Sequence, residues 1–436
     1  HRSTEGHCGE QRAHDVTTVP IFQTRDNLGI EHFFAPAFSV EIGPSLDSLK
    51  PLWDVTRVSY KDTVNQIDSF DLTVNNSGWD RAFDEPHYTE FLQDSAGGIL
   101  PLAVMPGSHA RLWMGYQGPM DLFPLLTGRV TSVTPTFGGD GGVTLTVRAL
   151  SSLEALRAAP VKFKWEPRRG QSVIRDTEIA QRIAEKYGIQ LVPAPGFEQR
   201  EAGENSVTQA NVTDIAFLIQ RARRRGYIVC FRENLPPREA SGPAASRRGG
   251  GTPQKSIYFG PSDMLRDQEA VRIGDRAQRF ELAWGKSLLD FRPTMNLSTS
   301  LWKKVKVNFW NRRTRARIKV EYGLEQLWAD ERGVNRDLEP LINLAGLGEH
   351  EVSGIPVHTE GQARDLARNT LRENFLQIVT AEGSTVGLPE LRACSRVEVD
   401  GVGSPFNGSY FITSTTHTID DNGYRTQFSA RREQPN

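Results

Sequence analysis

Two stretches of this chain, one from Ala110 and one from Ser395, carry the same succession of strand-like segments, and a β-pattern written twice leaves few folds open. The first reads ARLWMGYQG, LLTGRVTSVTPTF, the turn GGDGG at Gly138 to Gly142, then VTLTVRA. The second reads SRVEVDGVG, SYFITSTTHTID, an Asp-Asn-Gly turn, then YRTQFSAR. Each first segment has a basic second residue and a final Gly, and the spacing agrees over roughly forty residues. The repeat predicts two related antiparallel β-barrels in one chain.

Other segments supply the remaining strands. In Asp68 to Val74, Phe70, Leu72 and Val74 alternate with Ser69, Asp71 and Thr73, the period of a strand with one buried and one wet face. Phe38, Val40 and Ile42 alternate before Gly43-Pro44, and Val58 and Tyr60 do so after Trp53. Residues 77 to 108 read as loop. Sheets of such short strands are expected to close or curl, because open edges are adhesive. Near the C-terminus, Gly401, Gly403 and Gly408 are expected at reversals, with Tyr410 and Phe428 in the core beside Phe70, Leu72 and Val74 of the first set.

The pattern changes between the two sets. Asp176 or Thr177 is expected to cap a helix carrying Ile179, Ala180, Ile183 and Ala184, ended by Gly188, and Thr213 to cap a second one ended by Gly226. With the strands Tyr227 to Phe231 and Ser256 to Phe259, these make a small α/β module. Pro236 to Pro253 is too poor in apolar residues to pack and reads as a mobile loop. Thr359 to Gln362 has the form of a capping box. The expected organisation is an arm over 1–30, a first barrel over 31–155, the α/β module over 156–265, and a second barrel over 266–436 with a helical insertion around 323–374. The fold class is α+β, mainly β.

Charge and chemistry narrow the function. With 52 basic and 53 acidic side chains the net charge is -1, which argues against a dedicated nucleic-acid binder. No run of 18 apolar residues and no N-terminal apolar segment is present, so neither a spanning helix nor a secretory signal is expected. Cys8, Cys230 and Cys394 show no ligand spacing, which predicts neither a disulfide framework nor a zinc site, and synthesis in a reducing cytoplasm. Neither a GxSxG nor an HExxH nor a phosphate loop occurs. Asp68 and Asp71 should face opposite sides of a sheet, and His417 reads as a surface or core histidine. Arg221 to Arg225 reads as a solvated or intersubunit helix face, and Arg312 to Arg317 as a basic turn. No catalytic residue, cofactor or metal is expected.

IDSFDLTVNN, ARLWMGYQG with LLTGRVTSV, QANVTDIAFLIQRARRRGY, LAWGKSLLDFRPTMNLS, STVGLPELRA and FNGSYFITSTTHTIDDNGYRTQF together resemble the late control D family of phage tail hub proteins. The same module forms the N-terminal part of VgrG-type spike proteins of contractile injection systems, and the resemblance runs from about residue 35 to 432 in family order. It implies a homotrimeric baseplate hub in a phage tail or injection particle, assembled in the bacterial cytoplasm. Two barrels per subunit would form a ring of six, joining a trimeric spike to the hexameric inner tube, with wedge proteins as further partners. Because the sequence ends at Asn436, the spike is expected to be a separate protein. Strand edges or loops would dock the tube ring by extending its sheet. The competing readings are a cell-wall-directed, tail-associated hydrolase and a DNA-contacting tail protein.

Overall fold

The computed structural model describes residues 35–435 except 45–49, 52–54, 76–91, 94–98, 101–103, 118–121, 140–142, 194–195, 197–200, 235–253, 263–271, 274–275, 278–279, 298–300, 312–314, 331–334, 346, 354–356 and 358. The N-terminal arm and the 236–253 loop therefore lie outside the described residues, as does most of 77–108. The chain is mainly β with a helical minority, as the alternating segments require.

The first half contains β1 (Pro36–Gly43), β2 (Val55–Thr63), β3 (Ser69–Asn75), β4 (His109–Tyr116), β5 (Phe123–Phe137) and β6 (Val143–Ser151). A smaller unit follows, with β7 (Val161–Trp165), α1 (Asp176–Lys186), β8 (Gln190–Pro193), β9 (Val207–Val212), α2 (Asp214–Arg225), β10 (Ile228–Asn234) and β11 (Gln254–Gly260). The second half has β12 (Phe280–Ala283) and β13 (Leu288–Met295), then an insertion of β14 (Trp302–Asn311), β15 (Ala316–Gly323), β16 (Gly348–Val352) and α3 (Glu360–Phe375). It ends with β17 (Val379–Val386), β18 (Arg396–Asp400), β19 (Gly408–Asp420) and β20 (Gly423–Pro435).

Both halves thread their six strands in the same spatial order. In the first the order is β2-β3-β6-β5-β4-β1, and in the second it is β13-β17-β20-β19-β18-β12. Numbered within each half, that is second, third, sixth, fifth, fourth, first. One pairing differs, since β1 runs antiparallel to β4 whereas β12 runs parallel to β18. The halves are also bonded to each other. Ser414 to Ile419 of β19 pairs with Thr63 to Val58 of β2, so one sheet runs through both, its thirteen strands being these twelve and the short Lys50–Pro51 strand beside β1.

Each half buries its own core. Val40, Tyr60, Phe70, Leu72, Val74, Leu112, Val130 and Val147 pack in the first, where Ile419 and Tyr424 of the second half join them. Phe280, Leu282, Tyr410, Ile412 and Phe428 pack in the second, together with Val305, Leu371 and Phe375 of the insertion. The helices of the small unit bury Ile179, Ile183, Ile215 and Leu218 against Val229, Phe231 and Phe259. Local signals placed these helices. The Thr213 hydroxyl accepts from the Ala216 amide, Gly226 closes α2 at φ 66°, and Thr359 accepts from the Gln362 amide to start α3. The start of α1 differs from expectation: Arg175 is its N-cap, and Asp176 and Thr177 lie within the first turn. Both are diverted to tertiary partners, Asp176 to arginines of α2 and Thr177 to Glu201.

Candidate functional site

The correspondence between the halves extends to their irregularities. In β5, Val130 opposes Ala149 and Ser132 opposes Arg148, leaving Thr131 as an extra residue. In β19, Ile412 opposes Ala430 and Ser414 opposes Ser429, leaving Thr413 extra. A second pair of bulges falls at Thr56 of β2 and Leu289 of β13. A bulge re-aims a strand at one defined residue, so two bulges shared in position and strand are far more specific than a shared meander.

Beyond its bulge β19 changes partner. Arg396 to Val399 of β18 pairs with Phe411 to Gly408, and β2 takes over from Ser414 onward. The corresponding stretch of β5 is Ser132 to Phe137. It is bonded to β6 on one side, and no described strand covers its other side. Phe137 at its end is 75% exposed. The counterpart of β2 is β13, which ends the sheet and is largely exposed. These two stretches are the counterparts of the closed joint, and no described strand pairs their outer sides. Pro135 and Pro293 sit on them at the positions that His417 and Tyr60 occupy in the closed joint. Neither has an N–H to offer, so plain extension of the sheet along these edges, as the sequence suggested, is interrupted at both.

The closed joint is held by a buried polar cluster. Arg392 donates to Asp62 at 2.7 Å and to Asp68 at 3.0 Å, also bonds the Tyr60 hydroxyl, and lies 4.8 Å from the centre of the Tyr60 ring. Tyr60 donates to Asp68 at 2.8 Å, and Arg232 of β10 reaches Asp62 at 3.6 Å. Thus two carboxylates of the first half meet one arginine from the second half and one from the small unit. Burial and the neighbouring Asp62 charge push Asp68 up to about 8, against the opposing pull of Arg392. His417 stands beside this cluster. It is fully buried, with Nε2 3.0 Å from the Leu391 carbonyl and Nδ1 near the Tyr424 and Thr426 hydroxyls. Burial and the Arg392 charge hold it down at about 3, so it is a neutral core residue. Asp71 is on the opposite face, 3.4 Å from Arg148.

Two sequence expectations are overturned nearby. Arg221 and Arg225 are buried rather than solvated: both bind Asp176, at 2.5 and 2.6 Å, and Arg221 also binds Glu204. Burial opposes the charge of Asp176, but Arg225 and Arg221 prevail and hold it below the usual carboxylate range. Likewise Cys230 and Cys394 form a disulfide between β10 and the segment ahead of β18, with Cα atoms 6.5 Å apart. Their separation of 164 residues gave no spacing to read. Of the turn and core residues, Gly401, Gly403 and Gly408 have φ of +79°, +96° and +142°, and Phe70, Leu72, Val74, Tyr410 and Phe428 are buried. Among the described residues no His, Cys, Asp and Glu cluster could hold a metal ion, and no helix is long and apolar enough to cross a membrane.

A family model described as the Alg8 N-terminal domain matches residues 270–421, a span that holds β12 to β19 and stops before β20. No curated protein matches the sequence. Several solved structures share the fold. The 43 kDa tail protein of prophage MuSo2 from Shewanella oneidensis is 13% identical over 91% of this chain and 98% of its own, with a TM-score of 0.59. A tail protein from Neisseria meningitidis MC58 is 12% identical over 92% and 97%, with a TM-score of 0.55. A chain of the Francisella PdpA-VgrG complex is 9% identical, covering 92% of this chain and 53% of its own, with a TM-score of 0.50. At these identities the likeness is one of fold.

Proposed function

We propose that this chain is a structural hub of a contractile tail or injection particle, a homotrimer that joins a trimeric spike to a hexameric inner tube. In this reading the two halves, over 31–155 and 266–436, are tube-like barrels, and three copies offer six similar units to a six-fold partner while remaining three-fold toward the spike. The observation that carries the reading is the double six-strand set with matching bulges at Thr131 and Thr413. The fold shared with phage tail proteins supports it. The within-chain joint is a hydrogen-bonded ladder, whereas the proline-interrupted edges of β5 and β13 favour contact between copies through side chains such as Phe137 and Leu289. The spike and the wedge proteins are the further partners this reading calls for.

Mass measurement of the purified chain, alone and mixed with inner-tube protein, tests the proposal. Trimers that bind hexameric rings are expected. A chain that stays monomeric in both samples overturns it.

A further inference from the structure

The insertion between β13 and β17 opens on the most one-sided charge in the chain, and the hub reading makes no use of it. From Phe291 to Val320 there are nine basic side chains and no carboxylate, in a protein whose net charge is -1. β14 and β15 fold most of that stretch into a hairpin, and β16 flanks β14 only as far as Val307. Past Val307 the hairpin runs on as a two-stranded ribbon. Its inner face buries Val305, Val307 and Tyr322, and its outer face divides along its length. Near the base, Lys304 and Lys319 lie 3.3 and 3.0 Å from Glu321, Lys306 pairs with Glu349, and Asn308 donates to Glu351. Three lysines are balanced there by three carboxylates. Toward the tip, Trp310 stands directly opposite Arg317 in the register and is 56% exposed. Arg317 and Arg315 are exposed too, and neither has a carboxylate partner among the described residues. Arg315 holds a φ of +52°, a turn position that favours Gly or Asn.

The two zones differ in chemistry as well as in balance. The ion-paired cations of this face are lysines, and the free ones are arginines. A guanidinium grips a phosphate through parallel donors and stacks on flat rings, which an ammonium does not. β15 is the outer strand of its sheet, and charge alone would guard such an edge against pairing. A guard does not call for an exposed indole beside it. Indole and guanidinium together match a ligand that repeats both an anion and a flat ring. A carboxylate-rich peptide brings the anions without the rings. A bilayer would be met by an apolar tip, whereas Trp310 has Asn308 and Arg317 as its neighbours on this face. A single nucleic-acid strand supplies both groups, because its bases are free to stack. We propose that the end of the β14–β15 hairpin binds single-stranded nucleic acid without sequence preference, Arg315 and Arg317 meeting phosphates and Trp310 stacking a base.

The test uses the full-length chain, in whatever oligomeric state it adopts, and fluorescein-labelled oligo-dT followed by anisotropy over a series of salt concentrations. Poly-glutamate of matched length and phosphatidylcholine vesicles containing phosphatidylglycerol are the comparison probes. Oligo-dT should bind, with an affinity that falls steeply as salt rises. The double variant Arg315→Gly, Arg317→Gln should lower the slope of log affinity against log salt by about 1.4, two phosphates at about 0.7 each. Trp310→Ala should weaken binding about tenfold and leave that slope unchanged. No binding of oligo-dT at low salt, equal binding of poly-glutamate, capture by the vesicles alone, or variants that bind like the wild type each overturns the proposal. The three positions are exposed and Gly suits the left-handed turn, so folding of the variants, checked by their melting curves, is not at stake. The hub reading fails separately, on the mass of the chain and its tube complex.

Discussion

Thr131 and Thr413 do the same thing in the two halves: each is the extra residue of a bulge, and each donates its hydroxyl to a carbonyl of the last strand of its set. Thr131 reaches Arg148 O at 3.3 Å and Thr413 reaches Ser429 O at 3.0 Å. The residues before them, Val130 and Ile412, are 1% and 0% exposed in two separate cores.

That equivalence predicts matched damage. Val130→Asp and Ile412→Asp each bury an unpaired charge, and each should cost more than about 3 kcal/mol in urea or thermal unfolding. Both variants should also fail to assemble with tube protein. If one is destabilised and the other keeps wild-type stability and assembly, the two halves are not equivalent units.

Arg392 ties Asp62 and Asp68 of the first half to the second. Arg392→Met leaves the buried Asp62 carboxylate with the more distant Arg232 as its remaining cation and takes a donor from Asp68, and a loss of roughly 3–5 kcal/mol is expected. Combining it with Asp62→Asn should recover part of that loss, a non-additivity that a double-mutant cycle measures.

The same cluster sets opposed pH slopes. Asp68, raised to about 8 in the folded state, holds its proton there between pH 3.8 and 8 and releases it on unfolding, so its contribution falls as pH rises through that window. His417, lowered to about 3, stays neutral when folded but takes up a proton on unfolding below 6.5, so its contribution falls as pH drops from 6.5 toward 3. Between pH 4.5 and 6.5 the two oppose each other. Relative to wild type, His417→Gln should gain stability as pH falls across that range and Asp68→Asn should lose it, each by up to about 1.4 kcal/mol per pH unit. Parallel profiles for the three proteins contradict this assignment.

Cys230 and Cys394 close a long loop. Reduction, or Cys230→Ser, should lower stability by about 4–5 kcal/mol on the chain-entropy account. Thiol alkylation of the denatured, unreduced protein should label Cys8 alone. Labelling of all three cysteines without reductant would show that the bond is absent.

What could be read from the sequence was what is written locally or periodically. Thr213 and Gly226 bracket α2 because a cap acts on amides within one turn. The repeat was legible because alternation and turn chemistry repeat with it, although the order of strands in space and the ladder between β2 and β19 were not. The inward turn of Arg221 and Arg225 was hidden because Asp176 is 45 and 49 residues away. A helix face rich in arginine looks the same in sequence whether water or a buried carboxylate meets it. The disulfide failed to show for the same reason, since pairing across 164 residues is decided by the tertiary fold. Pro135 and Pro293 were visible as residues, but only the registers placed them at corresponding edges.

Because β19 spends its first stretch on β18 and its second on β2, the two halves share a rib instead of meeting across a tether. Tilting one half against the other would require breaking that rib, so whatever orients one half of the chain also aims its twin.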